Sequence, residues 1–111
     1  MEGRETDESA KIQVSGLHGE DEFVRERVNE MIQETLSKIT RSIPVMSVVI
    51  HVETHNKGGE RNKYSVQGRF VTDVGSLHAD DTEWNLTKAF GLFLGKIERE
   101  AQRKMEKERG H

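Results

Sequence analysis

Two pairs of polar residues have types that could support catalysis or bind a metal. His51 and His55 lie four residues apart in a run rich in β-branched residues. In a strand, four residues separate two side chains by roughly 13 Å, which is too far for both to bind one metal ion. Ser76 and His78 would share a strand face, but a nucleophile and its base also need an orienting acid and an oxyanion hole. No G-x-S-x-G motif is present, so we expect no enzyme and no metal site.

The adjacent glycines Gly58 and Gly59 do not form a nucleotide-binding loop. Such a loop follows a strand and precedes a helix, whereas these glycines lie between two predicted strands. The sequence has no cysteine, which excludes a disulfide framework, a thiolate zinc site and a cysteine nucleophile. We therefore expect no cofactor and no small-molecule substrate.

Basic residues are clustered, although the formal net charge of the chain is −3. Residues 1–22 contain seven acids and two bases, so the remaining sequence is positive. One cluster lies along the C-terminal half of a predicted helix and comprises Lys96, Arg99, Arg103, Lys104, Lys107 and Arg109. A second cluster lies near the middle of the chain and comprises Lys57, Arg61, Lys63 and Arg69. In one interpretation this helix is an ordinary solvated helix, because interleaved glutamates can form ion pairs with its bases at i, i+3 and i, i+4 spacing. Alternatively, the two clusters form one positive surface that contacts phosphates.

The alternation of apolar and polar residues predicts the elements that position these side chains. They are a strand over 11–17, a helix over 21–43, strands over 45–54 and 63–72, a short strand around 77–79, and a helix capped by Asp80 or Asp81. This order predicts an α+β two-layer sandwich, β-α-β-β-β-α, in which two helices cover one face of a four-stranded sheet.

The predicted core comes from one face of each element. In the third element Met46, Val48, Ile50 and Val52 would face inward, and the last helix has a stripe of Leu86, Ala89, Phe90, Phe93, Leu94, Ile97, Ala101 and Met105. We expect one domain over 11–109 and a disordered acidic tail over 1–10. No segment reaches the length and apolarity of a membrane span, and the acidic start does not resemble a signal peptide, so we expect a cytoplasmic protein.

Two glycines interrupt the last helix, and each costs about 1 kcal/mol relative to alanine. Gly91 and Gly95 lie away from the apolar stripe, on the side that carries Trp84, Lys88 and Arg99. Close approach of a neighbouring element within the fold is the favoured explanation, and close approach of a phosphate backbone or a partner protein is the alternative. For Trp84 we favour packing in the core or at the helix start over a role as a stacking platform.

The order of elements, with the run Gly95-Lys96-Ile97-Glu98-Arg99-Glu100-Ala101-Gln102-Arg103-Lys104, resembles the ribosome hibernation-promoting factor family, which includes ribosome-associated inhibitor A. The similarity covers roughly residues 11–107, and Ala89-Phe90 matches a further family feature. This resemblance implies a fold like that of double-stranded RNA-binding domains. It also implies binding to the small ribosomal subunit, in the channel used by messenger and transfer RNA. Lys96, Arg99 and Arg103, with Lys104 beside them, would then contact ribosomal RNA phosphates.

The leading hypothesis is therefore a non-enzymatic ribosome-binding protein that occupies the decoding channel under stress and blocks translation. Its partners would be the small ribosomal subunit and its RNA, with a homodimer left open and no membrane. The residues predicted to bind RNA are Lys63, Arg69, Lys88, Lys96, Arg99, Arg103 and Lys104. One alternative is a protein-interaction module in which Trp84, Gly91 and Gly95 dock a second copy or another protein. Another is an RNA-binding protein of the same fold without a ribosomal role.

Overall fold

The computed structural model describes residues 10–56 and 61–109 as a sheet covered by two helices. The elements are β1 (Lys11–Ser15), α1 (Glu22–Thr40), β2 (Val45–Asn56), β3 (Asn62–Thr72), β4 (Gly75–Glu83) and α2 (Leu86–Arg109). The tail predicted over 1–10 lies outside the described residues except for Ala10, and so do residues 57–60 of the predicted turn.

The four strands form one mixed sheet in the order β1-β2-β3-β4. β1 pairs parallel to β2, with Val14 opposite Ile50, and the other neighbours pair antiparallel. A parallel pair requires a crossover, which α1 supplies. Both helices lie on one face of the sheet and pack against each other. The predicted α+β two-layer sandwich with the order β-α-β-β-β-α is confirmed.

The core lies between the helices and the sheet. Its fully buried side chains come from both layers: Val28, Ile32, Val48, Ile50, Val66, Phe70, Leu77, Phe90, Phe93 and Ile97. Phe90 and Phe93 meet edge to face, with their ring centroids 6.3 Å apart. The predicted stripe of α2 is confirmed: its residues are buried, except that Met105 is half-buried at the edge of the core.

The start of β2 departs from the predicted alternation. Val45 is buried and Met46 is 53% exposed, because the pairing of β2 with β3 shifts register between Val45 and Ser47. This irregularity places one additional residue in β2, so the side chains before it point to the opposite face of the sheet from the one that strict alternation predicts. The prediction that Met46 faces the core is therefore wrong, whereas Val48, Ile50 and Val52 face inward as predicted.

Helix α1 begins where the sequence predicts and ends earlier. Asp21 is its N-cap and accepts a hydrogen bond from the Val24 amide at 3.0 Å. The helix ends at Thr40, and Ile43 is buried in the turn that follows. Pro44 disfavours helical geometry at the residue before it, so the chain leaves the helix ahead of that position.

Helix α2 begins later than predicted because β4 is longer than predicted. β4 pairs with β3 as far as Glu83, which lies opposite Tyr64. The cap is Asn85, whose Oδ1 accepts a hydrogen bond from the Lys88 amide at 2.9 Å. The prediction that Asp80 or Asp81 caps the helix is therefore wrong, since both residues belong to the strand.

Candidate nucleic-acid interface

A groove of about 390 Å³ runs between α2 and β4, the strand at the edge of the sheet. Its lining residues are His78, Ala79, Asp80, Lys96, Arg99, Glu100 and Arg103. The bases project from successive turns of α2, since residues three and four apart share one face of a helix. Three of the residues that the sequence predicts to bind RNA are therefore brought together in one groove.

Lys96 links α2 to β4. Its Nζ lies 3.0 Å from Asp81 Oδ2 and donates a hydrogen bond to the Asp80 carbonyl oxygen at 2.8 Å. The side chain of Asp81 is only 15% exposed, so Lys96 is the counter-ion of a carboxylate that is largely withdrawn from water. The Lys96 ammonium therefore also stabilises the packing of the helix on the edge strand.

The other bases of α2 differ in how far the chain itself neutralises them. Arg103 forms an ion pair with Glu100 at 2.7 Å. Arg99 has no ion pair or hydrogen bond with any residue that the structure describes. Lys88 lies 4.0 Å from Glu83, and Lys104 reaches back over the β3–β4 turn. Arg99 is thus the base in the groove whose charge is most available to a ligand.

Arg69 and Lys63 do not lie on α2's side of the sheet. They alternate along β3 with the buried residues Val66 and Phe70, which face the helices, so both point to the open face. Arg69 is opposite His78 of β4, and both line a second groove of about 430 Å³ on the open face. The two grooves share His78, Ala79 and Asp80. Arg69 and Arg99 therefore approach β4 from opposite faces of the sheet.

Trp84 follows β4 directly and does not enter the core. It is 41% exposed. The Arg61 guanidinium carbon lies 4.4 Å from the centroid of the indole ring, and Lys63 Nζ lies 5.1 Å from it. Both are cation–π distances. Of the two predicted places for Trp84, packing in the core is wrong, whereas the residue does lie at the helix start, directly before the Asn85 cap. No sequence pattern would have paired this ring with cations more than twenty residues earlier.

The two glycines of α2 are not explained by close packing within the described part of the chain. A Cβ atom at Gly91 would meet only Met31 Cε, at 3.7 Å, and one at Gly95 would meet nothing within 4 Å. The favoured explanation, close approach of a neighbouring element, is therefore wrong for Gly95, whereas at Gly91 helix α1 approaches through Met31 but leaves room for a Cβ atom. A Cβ atom at Gly91 would lie toward Met31 of α1, whereas Trp84 contacts Arg61 and Lys63 at the start of β3. The alternative in which Trp84, Gly91 and Gly95 dock a partner stays a hypothesis.

Helix α1 adds one base beside the glycines. Lys38 Nζ lies 3.6 Å from Glu98 Oε2, which also accepts a hydrogen bond from the buried Thr35 hydroxyl at 3.1 Å. Lys38, Gly95 and Arg99 line a groove of about 410 Å³ between the two helices. Arg99 therefore borders both the groove at β4 and the groove at α1.

Two histidines of the open face lie on either side of a glutamate. Glu53 lies between His51 and His55 on β2, with N···O distances of 3.9 and 3.5 Å. His51 also contacts the Ser15 hydroxyl at 2.8 Å. Within residues 10–56 and 61–109, no group of three metal-ligating side chains lies close enough to hold an ion. No helix in this part of the chain is long and apolar enough to span a membrane.

The fold and the groove beside α2 define a small α+β two-layer sandwich with a basic helix face. Residues 11–111 match the family model described as hibernation factor Hib, C-terminal domain. Because this match covers nearly the whole chain, the protein belongs to the Hib hibernation factor family. A comparison with curated proteins finds no match. The predicted relationship to ribosome hibernation factors is confirmed, and with it a ribosome-associated hibernation role.

Proposed function

We propose that this domain binds RNA of the small ribosomal subunit through the groove between α2 and β4. Bound in the channel for messenger and transfer RNA, it would exclude both by its bulk and thereby stop translation. The observation that carries the proposal is the row of Lys96, Arg99 and Arg103 along one groove in a hibernation factor domain. The site of action would be the cytoplasm, and no catalytic step is required.

The charges in the groove support contacts with phosphates. Arg99 has no partner among the described residues, so binding a phosphate would break no ion pair with any of them. Arg103 would exchange its exposed pair with Glu100 for a phosphate, and such exposed pairs contribute only about 0–1 kcal/mol. Each phosphate neutralised by a base releases condensed counterions, which supplies affinity that decreases as salt is added.

Co-sedimentation with small ribosomal subunits from the same source tests this proposal. We expect Arg99→Glu/Arg103→Glu to lose binding at moderate salt, because two phosphate contacts become repulsive. The matched control is Arg25→Glu/Arg27→Glu, which makes the same change of charge on exposed positions of α1. Circular dichroism verifies that both variants are folded. Equal binding by the two double variants would exclude the α2 groove as the interface.

The same experiment addresses the two alternatives. Gly91→Leu/Gly95→Leu should leave subunit binding and oligomeric state unchanged if the proposal is correct. Loss of a dimer in that variant, with unchanged RNA affinity, would instead favour a protein-interaction module. Binding of the wild type to free RNA but not to small subunits would favour an RNA-binding role outside the ribosome.

A further inference from the structure

The open face of the sheet presents polar residues in rows that run across the strands. Lys63 of β3 is paired with His55 of β2, and Arg69 of β3 lies between its partners Val49 of β2 and His78 of β4. Six residues separate the Lys63 row from the Arg69 row, or roughly 20 Å along the sheet. Trp84 comes directly after the last residue of β4. Its indole ring lies next to Lys63 and continues that row across the sheet.

Two cations lie over Trp84, and the acid next to it in the chain has a partner of its own. Arg61 and Lys63 lie over the ring, and neither has another partner among the described residues. Glu83 is close to Lys88. An exposed indole with two cations over its ring therefore lies at this end of the sheet.

We propose that an unpaired base of an RNA strand stacks on Trp84 in place of the cations that lie over its ring, while Arg61 and Lys63 contact the adjoining phosphates. A nucleotide combines a flat π-system with a negative charge, and this corner of the molecule offers the complement of both. Proteins that bind single-stranded RNA use aromatic side chains for the bases and arginine or lysine for the backbone. The inference depends on the proposed function in taking RNA as the ligand, but it concerns a surface separate from the α2 groove.

The site takes single-stranded rather than paired RNA. In a duplex each base is already stacked and cannot lie against an indole ring, whereas loops and ends expose their bases. A docked peptide would account for the aromatic ring, but it would leave the two cations without a reason to gather at it. We therefore assign the Trp84 corner to unpaired nucleotides, and a purely structural cation–π cluster is the outcome that the experiment must exclude.

Trp84 is the only tryptophan of the chain, so its fluorescence reports directly on this site. The protein is titrated with an unlabelled decamer of oligoadenylate at low salt. We expect the emission of Trp84 to be quenched until binding is saturated. Binding of a labelled decamer, followed by anisotropy, should weaken at least about fivefold in Trp84→Leu and less in Trp84→Phe. The control is Phe23→Leu, because Phe23 is an 84% exposed aromatic residue on α1 and should not affect binding.

A decamer with abasic positions separates stacking from charge. If the abasic strand binds as tightly as oligoadenylate, or if the emission of Trp84 does not change at saturation, the proposal is overturned. Failure of the proposed function is distinguishable, because Arg99→Glu/Arg103→Glu should lose small subunits yet retain quenching by the decamer. A Trp84→Leu protein that is folded and binds the decamer like wild type would identify a structural cluster only.

Discussion

Neighbouring bases of α2 have different roles at the scale of single residues. Lys96 holds a nearly buried carboxylate, whereas Arg99, one turn further on, has no partner in the described structure. Removing the Lys96 charge would leave Asp81 without its counter-ion close to the packed interface of helix and strand, which is costly. Removing the Arg99 charge leaves no group in the fold unsatisfied. We therefore expect the Lys96 charge to contribute to the stability of the fold and the Arg99 charge to contribute to RNA affinity.

We expect Lys96→Met to destabilise the domain by about 1 kcal/mol, a loss reduced because the lysine itself is partly exposed. For a domain of this size, that corresponds to a Tm lower by about 4–8 °C. Arg99→Met should stay within about 0.5 kcal/mol of the wild type. Thermal unfolding followed by circular dichroism measures both. Equal destabilisation of the two variants would mean that the Lys96–Asp81 pair does not hold α2 on β4.

At this scale, sequence patterns identified the bases of α2 but not their partners. Helical spacing was sufficient to place Lys96, Arg99 and Arg103 on one face. The Trp84 site was not predictable, because cation–π contacts join residues that only the β3–β4 pairing brings together. The free space above Gly95 was likewise missed, since composition cannot distinguish a glycine that admits a neighbour from one that faces solvent.

At the scale of elements, periodicity predicted every helix and strand, and tertiary pairing decided where β4 ends and where the alternation of β2 shifts. The acidic run around Asp80 and Asp81 is typical of a helix N-terminus, yet pairing with β3 keeps it in a strand until Asn85 caps α2. In β2, the irregularity next to Met46 shifts the alternation by one residue. Both errors arise where long-range hydrogen bonds override a local preference.

Two glycines in different elements should respond oppositely to alanine. In β3, a Cβ at Gly68 would collide with the Val49 carbonyl oxygen of the backbone of β2, so we expect Gly68→Ala to destabilise the domain by about 2 kcal/mol or more. In α2, a Cβ at Gly95 would meet nothing within 4 Å, so Gly95→Ala should stabilise by about 0.5–1 kcal/mol. Urea unfolding of both variants measures the difference. If Gly95→Ala destabilised the domain, the conclusion that the space around Gly95 is open would be wrong.

At the scale of the whole molecule, a chain with net charge −3 carries two bases that have no partner among the described residues, Arg69 and Arg99, on opposite faces of the sheet at one edge strand. Arg99 lies on the helical side of β4 and Arg69 on the open side. An RNA that follows this edge could contact both, whereas net charge alone would argue against any contact with phosphates. The local distribution of charge is therefore more informative than its sum.

The salt dependence of subunit binding tests whether both faces are used together. If Arg69 and Arg99 each neutralise one phosphate, Arg69→Ala and Arg99→Ala should each lower the slope of log affinity against log salt by about 1, and the double variant by about 2. Equilibrium binding at four or more salt concentrations gives the slopes. A slope unchanged by Arg69→Ala would confine the interface to the helical side.

The connection of β1 has a consequence for the order in which the domain folds. β2, β3 and β4 pair with their neighbours in the chain, whereas β1 pairs with β2 only across the whole of α1. Closing that larger loop costs more entropy, and β1 contributes just five residues to the sheet. We therefore expect the meander and α2 to consolidate first, and β1 to dock last and to detach first. Arg69, Trp84 and Arg99 all belong to the part that forms early, so both proposed binding surfaces would outlast the opening of the N-terminal strand.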